Sequence, residues 1–299
     1  MNLRRRMRDL IDGPGLTLMP GVYDALSARI VEAAGFEAAL AGGYAAIGSM
    51  MAQADSGQSN VRDYADHYAR ICDVVHIPLY VDADTGFGGV HNIRQMVRMF
   101  ERAGVAGLFI GDQTFPNRCN YLPGKQVVPV AEMLTRIKAA LDARRDPDLI
   151  ICARTDVMSV EGLDAAIERC RLFLEAGADY AKAQGVHTVA EIARVVRQVD
   201  CPYLATFSQA AGTRHIGLVE LEAAGAAAVS FPSLTLFAAA RAVRDAVTIL
   251  RRDNSLDAAE ALLMPLAEYY ALVGLEEQRM REEGYERAAA AVANRRAAE

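Results

Sequence analysis

The first constraints come from what the chain lacks. No apolar run approaches the length needed to span a bilayer. The basic N-terminal stretch MNLRRRMRDLIDG is not followed by the apolar segment of a secretory signal, so the expectation is a cytoplasmic protein. Positive charge is not in excess: the formal net charge is -6, which argues against a general affinity for nucleic acid or anionic membranes. It leaves room for local cations that attract a small anion. The five cysteines, Cys72, Cys119, Cys152, Cys170 and Cys201, are odd in number, scattered and without close metal-type spacing. They suggest neither a disulfide framework nor a zinc site, and most read as small core residues. His67, His76, His91, His187 and His215 do not cluster and read as surface or helix-end residues. Neither a nucleophile elbow nor a phosphate loop is present.

What the chain does have is a large apolar content. Hydrophobic residues make up 52% of 299 and charged residues 23%, enough for a sizeable core and against wholesale disorder. A degenerate repeat organises it: VEAAGFEAALAGG from 31, ERAGVAGLFIGD from 101, LEAGADYAKAQG from 174 and LEAAGAAAVSFP from 221. Each reads as a helix end closed by Gly35, Gly104, Gly177 or Gly225 and followed by a short apolar strand. Between them LTLMPG, IPLYVDAD, LIICARTD and PYLATF supply further strands. Near-continuous apolar strands alternating with helices imply parallel pairing with both faces buried. Eight such units predict an α/β fold of the (β/α)8 TIM barrel type. A doubly wound sheet would want a glycine-rich loop after its first strand, and LMPGVYDALSARI lacks that spacing. The expected domains are a barrel over 1–250 and a C-terminal helical extension over 251–299, where LEEQRMREEGYERAAAAVANRRAAE suits exposed helix.

In such a barrel the chemistry sits at the carboxyl ends of the strands. That places Gly43 and Tyr44 after the second strand, Asp82 and Asp84 after the third, Asp112 and Gln113 after the fourth, and Arg154 and Asp156 after the fifth. Lys182 and Gln184 follow the sixth, and Thr206 and Ser208 the seventh. Asp82 and Asp84, in YVDADTGFGG, stand two apart, and on a strand they would face one side at close quarters. Like charges that close need a cation or a proton between them. Clustered carboxylates with few histidines suit a hard cation such as Mg2+, and Asp55 offers a third acid, although as a single residue it also reads as a helix cap. Lys182 faces the mouth only in one register of its strand.

Several segments together, MPGVYDALSARIVEAAGF, AGGY, YVDADTGFGG, GDQTFPNRCNYLPGK and ICARTDVMSVEGLDAAIERCRLFLEAGAD, resemble the isocitrate lyase and phosphoenolpyruvate mutase superfamily, most of all its 2-methylisocitrate lyase branch. The resemblance implies a (β/α)8 barrel, Mg2+ (Mn2+ also accepted) and a small 2-hydroxy or 2-keto carboxylate substrate. It implies that Asp82 ligates the metal directly, with Asp84 and Asp55 holding metal-bound waters. Gly43 and Tyr44 would present backbone N–H groups to a substrate carboxylate, and Arg154 would pair with a carboxylate, its planar fork suiting that task. Cys119 would be the acid that protonates a carbanion after cleavage of a 2-hydroxy acid. The last helices would pack on the barrel or a neighbouring subunit of a homotetramer.

The chain also departs from the family pattern. A loop that reads Lys-Arg-Cys-Gly-His in the lyases reads Asn117, Arg118, Cys119, Asn120, Tyr121 here. Gly111, Gln184 and Thr206 replace an expected carboxylate, a glutamate and an asparagine. Tyr121 is the candidate stand-in for the lost histidine, and Asn120, Gln184 and Thr206 join the candidate substrate-binding residues. These replacements leave three readings open: a lyase with shifted specificity, an oxaloacetate-type decarboxylase or hydrolase or a phosphonate-processing enzyme, and a non-catalytic carboxylate-binding protein.

Overall fold

A computed structural model of the chain describes residues 2–119, 122, 124–208 and 216–297, the side chains of 296 and 297 aside. Two compact units divide it, Met1–Ala239 and Ala240–Glu299. Among its described residues the first holds eight strands: β1 Thr17–Pro20, β2 Ala39–Ala41, β3 Leu79–Asp82, β4 Gly107–Gly111, β5 Ile150–Thr155, β6 Tyr180–Ala183, β7 Tyr203–Thr206 and β8 Ala226–Phe231. They fall where the repeat and the apolar runs predict them. All pair in parallel, in the orders β2-β3-β4-β5-β6 and β1-β8-β7. A parallel bridge from Gly21 to Leu40 joins β1 to β2. Between β6 and β7 side chains make the junction: Tyr203 Oη donates to the Ala183 carbonyl at 3.1 Å and Lys182 Nζ to Thr206 Oγ1 at 2.6 Å. The fold is the (β/α)8 barrel.

The short strands read as unbroken apolar runs because both faces are covered. Leu79, Val81, Leu108, Ile110, Ile151 and Ala153 point outward into the layer between strands and helices. Tyr80, Phe109, Cys152, Tyr180, Leu204 and Ala228 point inward and fill the barrel. Helix Leu3–Asp12 adds Met7 and Ile11 to this inner cluster, both essentially inaccessible, so the barrel is a packed core rather than a channel. The helix-closing glycines adopt the left-handed conformation that ends a helix without a Cβ clash, Gly104 at φ +91° and Gly177 at φ +100°. Gly107 meets a different demand: a Cβ there would stand 2.6 Å from the Tyr80 ring.

Helix Leu234–Asp253 carries the chain into the second unit, which continues as helices Asp257–Glu260, Leu266–Leu272 and Leu275–Ala297. Leu266, Met280 and Tyr285 are exposed there. Among the described residues no helix is long and apolar enough to cross a membrane.

Candidate active site

Alternation along the strands builds the site. Two residues beyond Tyr80, Phe109, Cys152, Tyr180, Leu204 and Ala228, the same inward face carries Asp82, Gly111, Arg154, Lys182, Thr206 and Ser230. All six line one cavity with about 700 Å³ of open space. Gly43, Tyr44, Asp55, Asp84, Cys119 and Gln184 line it too, so every described residue chosen from the sequence for metal, substrate or catalysis meets at this mouth. Asn120 and Tyr121 lie outside the described residues.

Asp82 ends β3 and is buried. Its Oδ1 accepts the Asp84 N–H at 2.9 Å and its Oδ2 the Gly43 N–H at 3.3 Å. The second bond takes the place of a side-chain cap on helix Gly43–Met51, whose N-cap residue Gly42 provides none. That end of the helix, where Gly43 and Tyr44 line the cavity, carries the positive end of its dipole. Asp84 corrects the picture of two acids alternating on one strand. It lies past the end of β3 at φ +46°, a left-handed conformation that costs a non-glycine residue on the order of 1 kcal/mol, and it reaches the cavity from the turn. Asn117 Nδ2 donates to its Oδ1 at 2.9 Å. Asp55 is buried, and its carboxylate oxygen Oδ1 has no hydrogen-bond partner among the described residues.

The absence of a side chain at Gly43 keeps Asp82 and Asp55 in reach of a common space. A Cβ there would lie 3.2 Å from Asp82 Oδ2, 3.4 Å from Asp55 Oδ2 and 2.9 Å from the Tyr64 hydroxyl. Burial, then repulsion from Asp82, pushes Asp55 up to about 6. Burial also raises Asp82, and burial with repulsion from Asp82 and Asp55 raises Asp84 well above the usual carboxylate range. A cation among them would reverse these shifts. Among the described residues no three acidic, histidine or cysteine side chains converge closely enough to chelate an ion unaided. The donor set is instead all oxygen, with an orphaned Asp55 oxygen beside a cradle kept open by glycine. It fits a hard cation that retains most of its waters, such as Mg2+.

Arg154 is held from behind. Its Nε and Nη2 donate to Asp156 Oδ2 and Oδ1 at 2.9 and 3.1 Å, and Nη1 lies 3.8 Å from Asp82 Oδ2. The guanidinium carbon sits 5.5 Å from the Phe109 ring centroid, within cation–π range. Asp156 in turn is fixed by Asp112, whose fully buried carboxylate accepts Thr155 Oγ1 at 2.6 Å, the Asp156 N–H at 2.9 Å and Arg169 Nη1 at 3.0 Å. Asp112, a mouth residue by sequence position, therefore holds the β5 loop and does not line the cavity. His67 also departs from expectation. It is buried on helix Val61–Cys72, 5.9 Å from the Tyr68 ring, and burial lowers its pKa.

The loop after β4 is clamped by Gln113, whose side chain accepts the Arg118 N–H at 3.0 Å and donates to the Arg118 carbonyl at 3.0 Å. The next residue, Cys119, is thereby set at the cavity wall, its N–H donating to the Asp55 carbonyl at 3.4 Å. Its thiol lies within electrostatic reach of Arg154 and Lys125. Sequence reading missed Asn117 and Lys125. Lys125 Nζ stands 4.0 Å from Asp156, and burial lowers its pKa. No local sequence pattern marked it: its place follows from the bridge between Val127 and Gln113, which only the fold reveals. Lys182, whose direction the sequence left open, pairs in register with Arg154 and points inward. Burial lowers it to about 8, with Arg154 adding to the effect.

With this geometry in hand, residues 7–251 match the family model for phosphoenolpyruvate phosphomutase. The chain is 32% identical over 285 residues to 2,3-dimethylmalate lyase of Eubacterium barkeri, covering 95% of this chain and 99% of the relative. It is 36% identical over 279 residues to 2-methylisocitrate lyase of Aeropyrum pernix, covering 92% and 89%. Among solved structures, oxaloacetate acetylhydrolase in complex with the inhibitor 3,3-difluorooxalacetate superposes with a TM-score of 0.89 at 30% identity, over 95% of this chain and 97% of that one. A phosphonopyruvate hydrolase complex with oxalate and Mg++ gives 0.85 at 26% identity, over 95% and 99%.

Proposed function

The chain belongs to the phosphoenolpyruvate phosphomutase family, and from that premise we propose that it is an Mg2+-dependent carbon–carbon lyase. Its substrate is a 2-hydroxy di- or tricarboxylate, and its products are a 2-keto acid and a second carboxylate. The observation that carries this reading is the approach of Asp55 and Asp82 to the Gly43 cradle at the start of helix Gly43–Met51, with Asp84 lining the same cavity. Asp82 would hold the metal directly, with Asp55 and Asp84 steadying its waters. Bound Mg2+ supplies Lewis acidity to the oxygens of the hydroxy acid.

The chain's own residues do the rest. The N–H groups of Gly43 and Tyr44 orient the carboxylate next to the hydroxyl, and Arg154, held by Asp156, adds positive charge on the same side. As the hydroxyl gives up its proton to water in the open cavity, that carbon becomes a carbonyl and its bond to the neighbouring carbon breaks. The electron pair passes to an enediolate, which Cys119 protonates, with Tyr121 and Asn120 as further loop contacts. Acid–base groups of this kind each contribute typically about 10²- to 10⁴-fold. Gln184 and Thr206 shape the specificity. The enzyme is proposed to be cytoplasmic and homotetrameric, and the exposed Leu266, Met280 and Tyr285 support burial of the last helices against a neighbouring subunit.

A second reading, hydrolysis or decarboxylation of an oxaloacetate-like acid, gains support from the oxaloacetate acetylhydrolase likeness. It also gains from the acids replaced at Gly111 and Gln184, since it needs fewer proton donors. Turnover of 2,3-dimethylmalate, 2-methylisocitrate and oxaloacetate with Mg2+ separates the readings. Keto-acid release from a hydroxy acid supports the first, and consumption of oxaloacetate alone supports the second. If Asp82→Ala left turnover unchanged, the metal reading would fail.

A further inference from the structure

We propose that Lys182, aligned by Thr206, seats a second carboxylate of the substrate, the one remote from the hydroxyl-bearing end. This rests on the reading of the cavity as a metal-assisted hydroxy-acid site and assigns what selects a dicarboxylate there. Lys182 is 6% exposed and lines the cavity wall. Arg154 has its fork on Asp156, whereas among the described residues no carboxylate oxygen lies within 4.0 Å of Lys182 Nζ. A buried cation without a counter-ion is costly, and an anion placed against it removes that cost.

The direction of the hydrogen bonds fits this assignment. Lys182 Nζ donates to Thr206 Oγ1 at 2.6 Å; Thr206 Oγ1 lies 3.3 Å from Ser230 Oγ, which donates to the Ala205 carbonyl at 3.2 Å. With Ser230 donating onward, Thr206 donates to Ser230 and offers a lone pair to the ammonium. Of the three ammonium N–H groups, one is thus fixed and two remain for a ligand. Phe109 lies beneath, its centroid 5.6 Å from Nζ, and keeps water from one side. At the position of Thr206 a hydroxyl accepts from the lysine without adding charge, so the pair presents a net positive, geometrically fixed donor.

The test compares malate with lactate, which share the hydroxy-acid end and differ by one carboxylate, by titration calorimetry with Mg2+. Wild type is expected to bind malate at least tenfold more tightly than lactate. Lys182→Met should bring the two within about threefold by weakening malate, and Lys182→Arg should keep most of the preference. Should Lys182→Met fail to fold, Thr206→Val supplies the same comparison, with the preference again reduced. Oxalate binding to wild type, with and without Mg2+, checks the underlying reading separately. Mg2+-dependent oxalate binding together with an unchanged malate preference in Lys182→Met and Thr206→Val would overturn the assignment of Lys182 alone. Loss of the Mg2+ dependence would overturn the reading beneath it. A reduced-imine mass on Lys182 after pyruvate and borohydride would also overturn the proposal, since the amine would then be a nucleophile and not an anion seat.

Discussion

Replacing Lys182 by Met should make the ligand-free protein more stable at neutral pH, and the gain should shrink as the solution becomes alkaline. The folded-state pKa falls from 10.5 to about 8 because the ammonium loses its water on burial. Below pH 8 both folded and unfolded chains carry the proton, and the whole cost of burying the charge falls on the native state. Between 8 and 10.5 the folded lysine is neutral while the unfolded one is still protonated. The unfolded state then binds more protons, so native stability rises with pH. At about 1.4 kcal/mol per pKa unit, wild type should gain about 2–3 kcal/mol relative to Lys182→Met on going from pH 7 to pH 10. Methionine matches the length of the aliphatic stem and fills the space over Phe109, so little packing is lost. Urea unfolding of both proteins in chelator at pH 7 and pH 10 measures the difference, and the subtraction removes other groups that titrate in this range. A difference that stays constant between the two pH values would refute the claim that this ammonium is buried without a compensating anion.

Other substitutions test other parts of the site. Arg169→Ala strands the buried Asp112 carboxylate and should cost about 3–5 kcal/mol, read as a lowered urea midpoint. Gly43→Ala pushes a methyl to 2.9 Å from the Tyr64 hydroxyl and 3.2 Å from Asp82 Oδ2; Mg2+-dependent oxalate affinity should fall at least about tenfold, by the same reasoning that makes glycine necessary where a ligand approaches the backbone. Cys119→Ser should lower kcat on the hydroxy-acid substrate by about 10²–10⁴ with KM little changed, and an equal kcat would remove Cys119 from proton transfer. Gly107→Val sets a branched side chain against Tyr80, where even a Cβ would approach to 2.6 Å, and should cost about 1–3 kcal/mol from overpacking.

The sequence by itself determined the barrel and most of the mouth. Glycine-closed helix ends and apolar strands recur because each unit must bury both faces of a short parallel strand, and that demand leaves a pattern in one dimension. Period-two alternation does the same for the site: once Tyr80, Phe109 and Cys152 are inside, Asp82, Gly111 and Arg154 must be on the same face. Only the tertiary structure decided what lies off that alternation or depends on partners distant in the chain. Asp84 enters the cavity through a left-handed turn and Asn117 through a loop clamped by Gln113, while Lys125 stands behind the site beside Asp156. Asp112 is taken out of the mouth by Arg169, 57 residues away. Whether a charge at a strand end meets substrate or is neutralised from behind depends on which other charges reach it. That is fixed by packing across the barrel, and no local pattern of residues encodes it.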